Sequence, residues 1–147
     1  MSNKKTIKKT VCVDFDGVLH AYRLKYHDGT FYDDPIPRAK EYLERLAQKY
    51  KVVIFSTRLN PYPFSEPEFA ERTYDQLVAG LVAAFEAEQT LRQKMQDWLD
   101  KHGFVHGTHY HDMTYKKPAC VAYIDDRAVP FTEWTDEVLA AVEVGGN

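Results

Sequence analysis

Three short runs of β-branched and apolar residues stand out along the chain, and each stops abruptly at polar residues. Thr10 to Phe15 (TVCVDF) runs into Asp16-Gly17, Lys51 to Phe55 (KVVIF) into Ser56-Thr57-Arg58, and Cys120 to Ile124 (CVAYI) into Asp125-Asp126. Runs of this length without polar alternation fit strands buried on both faces, as in a parallel sheet. Phe104 to Tyr110 is expected to hold a further short strand. Between the first two runs, Pro35 and Pro37 open a helix whose apolar positions Ile36, Ala39, Leu43, Leu46 and Tyr50 share one face. Residues 20–34 alternate aromatic with polar residues around Asp28-Gly29, a pattern that predicts a β-hairpin.

After the proline-rich stretch Asn60 to Pro67, Ser65 and Glu68 have capping-box spacing. From Glu66 to His102 the chain favours helix, with Gly103 as the stop. A straight rod over that stretch would measure ~55 Å, against a radius of gyration of ~15 Å for a compact domain of this length. The segment therefore either breaks near Gly80 or between Ala87 and Thr90, or projects. Two helices are expected, the second burying Leu91, Met95, Trp98 and Leu99. The first, carrying Phe69, Leu77, Leu81 and Phe85, exceeds what one sheet needs. Residues 59–85 thus read as a helical insertion, serving as a partial lid or as a contact between copies of the chain. Phe131 to Val144 closes the pattern as a helix with Trp134, Val138, Leu139 and Val142 on one side. Strands alternating with helices imply an α/β fold, a parallel sheet with helices on both faces.

Composition adjusts this picture only slightly. At 147 residues the chain suits a single domain over 1–147. No apolar run approaches the ~20 residues that cross a bilayer, and a cytoplasmic location with no membrane partner is expected. Cys12 and Cys120 lie inside apolar runs and read as reduced core thiols. A net charge of −3 argues against a dedicated nucleic-acid binder. The basic arm Lys4, Lys5, Lys8 and Lys9 reads as a solvated terminus.

The strand ends carry the chemistry. Ligands of open α/β sheets bind outside the carboxyl ends of the strands. There the sequence gathers Asp14, Asp16, Ser56, Thr57, Asp125 and Asp126, with Lys116-Lys117 nearby. So many carboxylates repel one another unless a hard divalent cation such as Mg²⁺ joins them.

VDFDGVL resembles the first motif of the HAD (haloacid dehalogenase-like) superfamily. VVIFST resembles its second, Lys117-Pro118 the lysine of its third, and AYIDD the paired-aspartate form of its fourth. The resemblance runs from Thr10 to Arg127. It implies a three-layer Rossmann-like fold and a Mg²⁺-dependent phosphomonoester hydrolase acting through an aspartyl-phosphate. Asp14 would be the nucleophile, and Asp16 the acid and base that also lends a backbone carbonyl to the metal. Ser56 would hold a phosphoryl oxygen and Lys117 offset its charge. Asp125 would ligate the metal, and Asp126 would share or orient that shell. The acid at position 16 favours phosphate chemistry over dehalogenation.

Thr57 is the rival to Ser56. Arg58 and Arg127 follow motifs directly, either as anion-binding substrate contacts or as flanking surface ion pairs. His102, His106, His109, His111 and Asp112 form a cluster read as a polar rim rather than a second metal site. The interval between Asp16 and Ser56 leaves no room for a full cap domain, so the site is open. A small phosphorylated substrate is expected, a nucleotide first among them. The alternatives are a nucleic-acid 3′-phosphatase and a non-catalytic metal-binding or interaction module.

Overall fold

The computed structural model describes residues 7–25, 28–62, 72–125 and 131–145. Four parallel strands, β1 (Thr10–Asp14), β2 (Lys51–Phe55), β3 (Asp112–Thr114) and β4 (Ala122–Ile124), form one sheet in the order β3-β2-β1-β4. With α1 (Ala39–Lys49), α2 (Tyr74–Lys101) and α3 (Asp136–Gly145), this is an α/β fold. Val11 lies between Val52 and Ala122, and Val13 between Ile54 and Ile124. Successive side chains of a strand point to opposite faces, so these six residues share one face.

All three helices join that face. Tyr42, Leu43 and Leu46 of α1, Met95, Trp98 and Leu99 of α2, and Val138 and Val142 of α3 belong to one buried cluster with those six residues. Each buried leucine contributes about 1.5–3 kcal/mol. Cys12 and Val53, on the other face, are buried outside the cluster. They lie behind the segment between β3 and β4, where Lys117 sits 5.5 Å from the Phe55 ring centre and 5.4 Å from that of Tyr123. The expected helices on both faces are thus not found among the described residues. Chain direction explains this: β1-α1-β2-α2-β3 advances one way along the sheet, and right-handed crossovers put both helices on one side. The return from β3 to β4 runs the other way, over the opposite face, and is too short for a helix. α3 then comes back beside α1, where Tyr42 stacks on Trp134 (5.9 Å) and donates to Asp136 (2.9 Å).

Three other expectations change. The third strand is Asp112–Thr114, not within Phe104 to Tyr110. The earlier segment turns instead at left-handed Gly107 (φ 87°), whose N–H donates to the Tyr110 carbonyl. Neither expected break, near Gly80 or between Ala87 and Thr90, occurs. α2 is one helix of 28 residues, ~42 Å at 1.5 Å per residue. Gly80 costs only about 1 kcal/mol in a helix interior, too little to end one. Its start uses Thr73 and Gln76, whose side chains each accept the other's backbone N–H (3.3 and 3.0 Å). Ser65, Glu68 and Phe69 lie outside the described residues. The N-terminal half of α2 projects, leaving Val78, Leu81, Val82 and Phe85 exposed.

Finally, residues 20–34 form no hairpin among the described residues. Single bridges tie His20 to Asp16 and to Pro35, and between them the chain is a folded loop. Arg23 gives both its backbone N–H (2.8 Å) and its guanidinium to the Asp33 carboxylate. A side chain thus takes the place of a strand partner, the competition that short polar residues offer to a ladder.

Candidate active site

The register aligns the polar strand ends. Asp14 closes β1 opposite Phe55, so Ser56 stands one residue beyond Asp14 on the neighbouring strand. On the other side Val13 pairs with Ile124, which puts Asp125 beside Asp14. Asp14, Asp16, Ser56 and Thr57 all line one cavity of about 430 Å³ at this carboxyl edge. Tyr22, Lys25, Phe55 and Phe131 supply further walls. Ser56 is buried, and its Oγ accepts the Arg58 N–H (3.2 Å), starting the 3-10 turn Thr57–Leu59. Its own hydroxyl proton remains to be donated. Thr57 is exposed at the rim.

After Asp16 the chain reverses at Gly17 (φ 83°), a left-handed position that a side chain would strain. The Leu19 and His20 N–H groups both return to the Phe15 carbonyl (2.9 Å each). The tight turn sets His20 beside Asp16, and Nδ1 of His20 lies 2.9 Å from Asp16 Oδ1. Arg58 Nε donates to the other carboxylate oxygen, Oδ2, at 2.8 Å. Burial alone would raise the Asp16 pKa, but the hydrogen bonds from His20 and Arg58 more than offset it and hold the carboxyl below its ordinary value. Arg58 is itself buried, with its guanidinium 4.9 Å from the Phe31 ring centre. Nη1 donates to the Thr30 carbonyl (2.9 Å), whereas Nη2 finds no partner among the described residues.

The loop over residues 20–34 is therefore bound to the site at several points. Trp98 Nε1 donates to the Asp33 carbonyl (3.0 Å), fixing the loop to α2. Tyr22 (φ 54°) and Lys25 (φ 58°), both on the cavity wall, hold left-handed backbone that costs of order 1–3 kcal/mol each. Such strain persists only where the surrounding contacts over-determine it.

Lys117 Nζ reaches Asp125 Oδ2 at 3.3 Å, and Asp125 is buried beside the cavity. Asp126 and Arg127 lie outside the described residues. Burial first, then the neighbouring Cys120 and Asp14, push the Cys12 thiol up to about 12, which makes it an unreactive core residue. The donors around Asp14 and Asp125 are oxygens, suited to a hard cation. Among the described residues no group of three or more His, Cys, Asp or Glu is placed to hold a metal. Two carboxylates with a backbone carbonyl still fit Mg²⁺, which keeps several waters and commonly takes one or two carboxylates.

The histidine cluster is engaged in structure. His109 Nδ1 accepts the Val105 N–H (2.8 Å), and His111 Nδ1 accepts the Val52 N–H (2.9 Å), docking this loop on β2. His106 Nε2 meets the His111 carbonyl, and the His102 ring packs on Trp98. Burial lowers the pKa of both His109 and His111. Folded protein then binds fewer protons than unfolded protein, so their contribution is present above the ordinary value near 6.5 and is lost as pH falls through it. The urea midpoint is expected to drop between pH 7.5 and 5.5. The double variant His109→Asn/His111→Asn, whose amide oxygens can still accept those two N–H groups, should flatten the drop. An unchanged slope would reject this assignment.

Asp14, Asp16, Ser56 and Thr57 were legible in the sequence as site residues, whereas His20, Asp33 and Lys25 were not. One local signal was present for His20: it follows Asp16 by a single tight turn containing Gly17. Comparisons with protein-family models, with curated proteins and with solved structures find no match.

Proposed function

We propose that this protein is a Mg²⁺-dependent phosphomonoester hydrolase built on a Rossmann-like sheet of the HAD type. The observation that carries the reading is the register, which sets Asp14, Ser56 and Asp125 at the carboxyl ends of three adjacent parallel strands. Asp14 attacks phosphorus, and the bond to the leaving oxygen breaks as Asp16 gives that oxygen a proton. Asp16 then takes a proton from the water that attacks the aspartyl-phosphate, releasing inorganic phosphate and restoring Asp14. The Ser56 hydroxyl donates to a phosphoryl oxygen, and Lys117 adds positive charge beside Asp125.

Asp14, Asp125 and the Asp16 carbonyl would hold Mg²⁺, with Asp126 sharing the shell. When bound, the ion neutralises the phosphate charge that otherwise repels a carboxylate. Arg58 supports the reading from behind Asp16. Its fork is committed to Asp16 through Nε and to the Thr30 carbonyl through Nη1, which holds the Asp16 carboxylate in the cavity wall. The aromatic wall of Tyr22, Phe55 and Phe131, with Lys25, favours a nucleoside monophosphate as substrate.

A screen with Mg²⁺ across nucleotides, sugar phosphates and phosphopeptides tests the proposal. Release of phosphate that chelation abolishes is expected, with nucleotides preferred. No turnover of any substrate would reject it. Preference for a 3′-phosphorylated oligonucleotide with steep salt dependence would change the substrate class.

A further inference from the structure

His20 is wholly buried, and both of its ring nitrogens are committed. The Asp33 backbone N–H points at Nε2 from 3.0 Å, so Nε2 must present its lone pair. The ring proton therefore sits on Nδ1, directed at Asp16 Oδ1. Phe15 stacks on the imidazole (5.4 Å between centres, 7° between planes), while Trp98 and Tyr32 meet it edge-on. Every degree of freedom of this ring is fixed by the loop and the core, not by solvent.

Resting on the phosphohydrolase reading, we propose that His20 is the positioning residue for Asp16. It holds the carboxyl plane through Nδ1–H and Oδ1, so that the opposite oxygen, now bonded to Arg58, is the one that carries the transferred proton. His20 itself gains and loses none. Oδ1 is held by a ring clamped between the Asp33 N–H, Phe15 and Trp98, which leaves Oδ2, bonded only through the Arg58 side chain, as the oxygen that exchanges the proton. The loop carrying Asp33 acts through the same ring, because its N–H selects the tautomer.

Two substitutions separate the ring's two bonds. The amide nitrogen of His20→Asn falls near Nδ1 and can still donate to Asp16. The amide oxygen of His20→Gln falls near Nε2 and can still accept from Asp33, but nothing then holds Oδ1. Single-turnover release of the leaving group, which precedes the shared hydrolysis of the aspartyl-phosphate, is compared for 4-nitrophenyl phosphate, whose leaving group needs no proton, and thymidine 5′-monophosphate, whose alkoxide does. A positioned general acid supplies roughly 10²–10⁴-fold. His20→Gln is therefore expected to slow nucleoside release in a single turnover by about 10²-fold while leaving nitrophenol release within about threefold. His20→Asn should recover at least about tenfold of the nucleotide loss. The ratio of the two substrates within one preparation does not depend on the fraction folded. Equal losses on both, or a loss in His20→Asn greater than in His20→Gln, overturn the proposal. Nitrogen NMR of the ring gives a readout without turnover: a proton found on Nε2 overturns it as well. A wild-type protein that hydrolyses neither ester removes the hydrolase reading and this inference together. An active protein lacking the selective loss removes the inference alone.

Discussion

Replacing Asp14 by Asn is expected to reduce turnover by about 10⁴-fold or more, without loss of stability. The amide has nearly the shape of the carboxylate but is no nucleophile, so no aspartyl-phosphate can form. Asp14 Oδ1 accepts the next backbone N–H (2.9 Å), a bond the amide oxygen of Asn can keep. The residue stands beside Asp125 and shares the cavity with Asp16. Removing one of several crowded negative charges should therefore leave the melting temperature unchanged or raise it, the trade between stability and activity seen where function demands unfavourable groups. Acid quenching of the wild type with radiolabelled substrate should trap label on the protein, and the variant should trap none. Label retained by Asp14→Asn would assign the nucleophile elsewhere.

Trp98→Ala is expected to cost about 3–5 kcal/mol, as large-to-small changes at buried aromatic positions do. Against a typical total of about 5–15 kcal/mol, the variant would sit near the edge of folding. Trp98 meets Phe15 edge-on at 5.0 Å and stacks on Phe104 at 6.0 Å, joining α2 to the end of β1. Its indole N–H also satisfies the Asp33 carbonyl. Trp98→Phe separates the two contributions. It keeps most of the packing and leaves that carbonyl unpaired, for about 1–3 kcal/mol. Because Asp33 anchors the loop and directs His20, Trp98→Phe should also lower turnover at temperatures where the protein remains fully folded. Urea unfolding and activity on the same samples check both. Full activity in a destabilised Trp98→Phe would show that the loop holds its place without α2.

The polar strand ends were legible in the sequence because the cause is local. A strand buried on both faces must be apolar, so its end shows where the apolar run stops, and Asp14, Ser56 and Asp125 stand at or next to those stops. The helix of residues 39–49 was legible for the same reason, since Leu43 and Leu46 repeat at its period. The hairpin was not. Alternation around Asp28-Gly29 is what a hairpin shows, yet the choice fell to Asp33, whose carboxylate captured Arg23. Alternation cannot reveal which side chain will outbid a ladder.

The sequence by itself determined the parallel α/β class and the residues that end its strands, since both follow from burial and period. Only the tertiary structure decided that α1, α2 and α3 join one face, because crossover handedness acts on strand order rather than on composition. It also decided that α2 continues unbroken past the body, where a weak local penalty at Gly80 met no tertiary reason to end the helix. The surroundings of Asp16 came from the same level. His20 lies one turn away, but its tautomer is set by Asp33 and its orientation by Phe15 and Trp98. Arg58 meets Asp16 only because β1 and β2 are neighbours. A carboxylate's identity is written in the chain, while the groups that hold its two oxygens are assembled by folding.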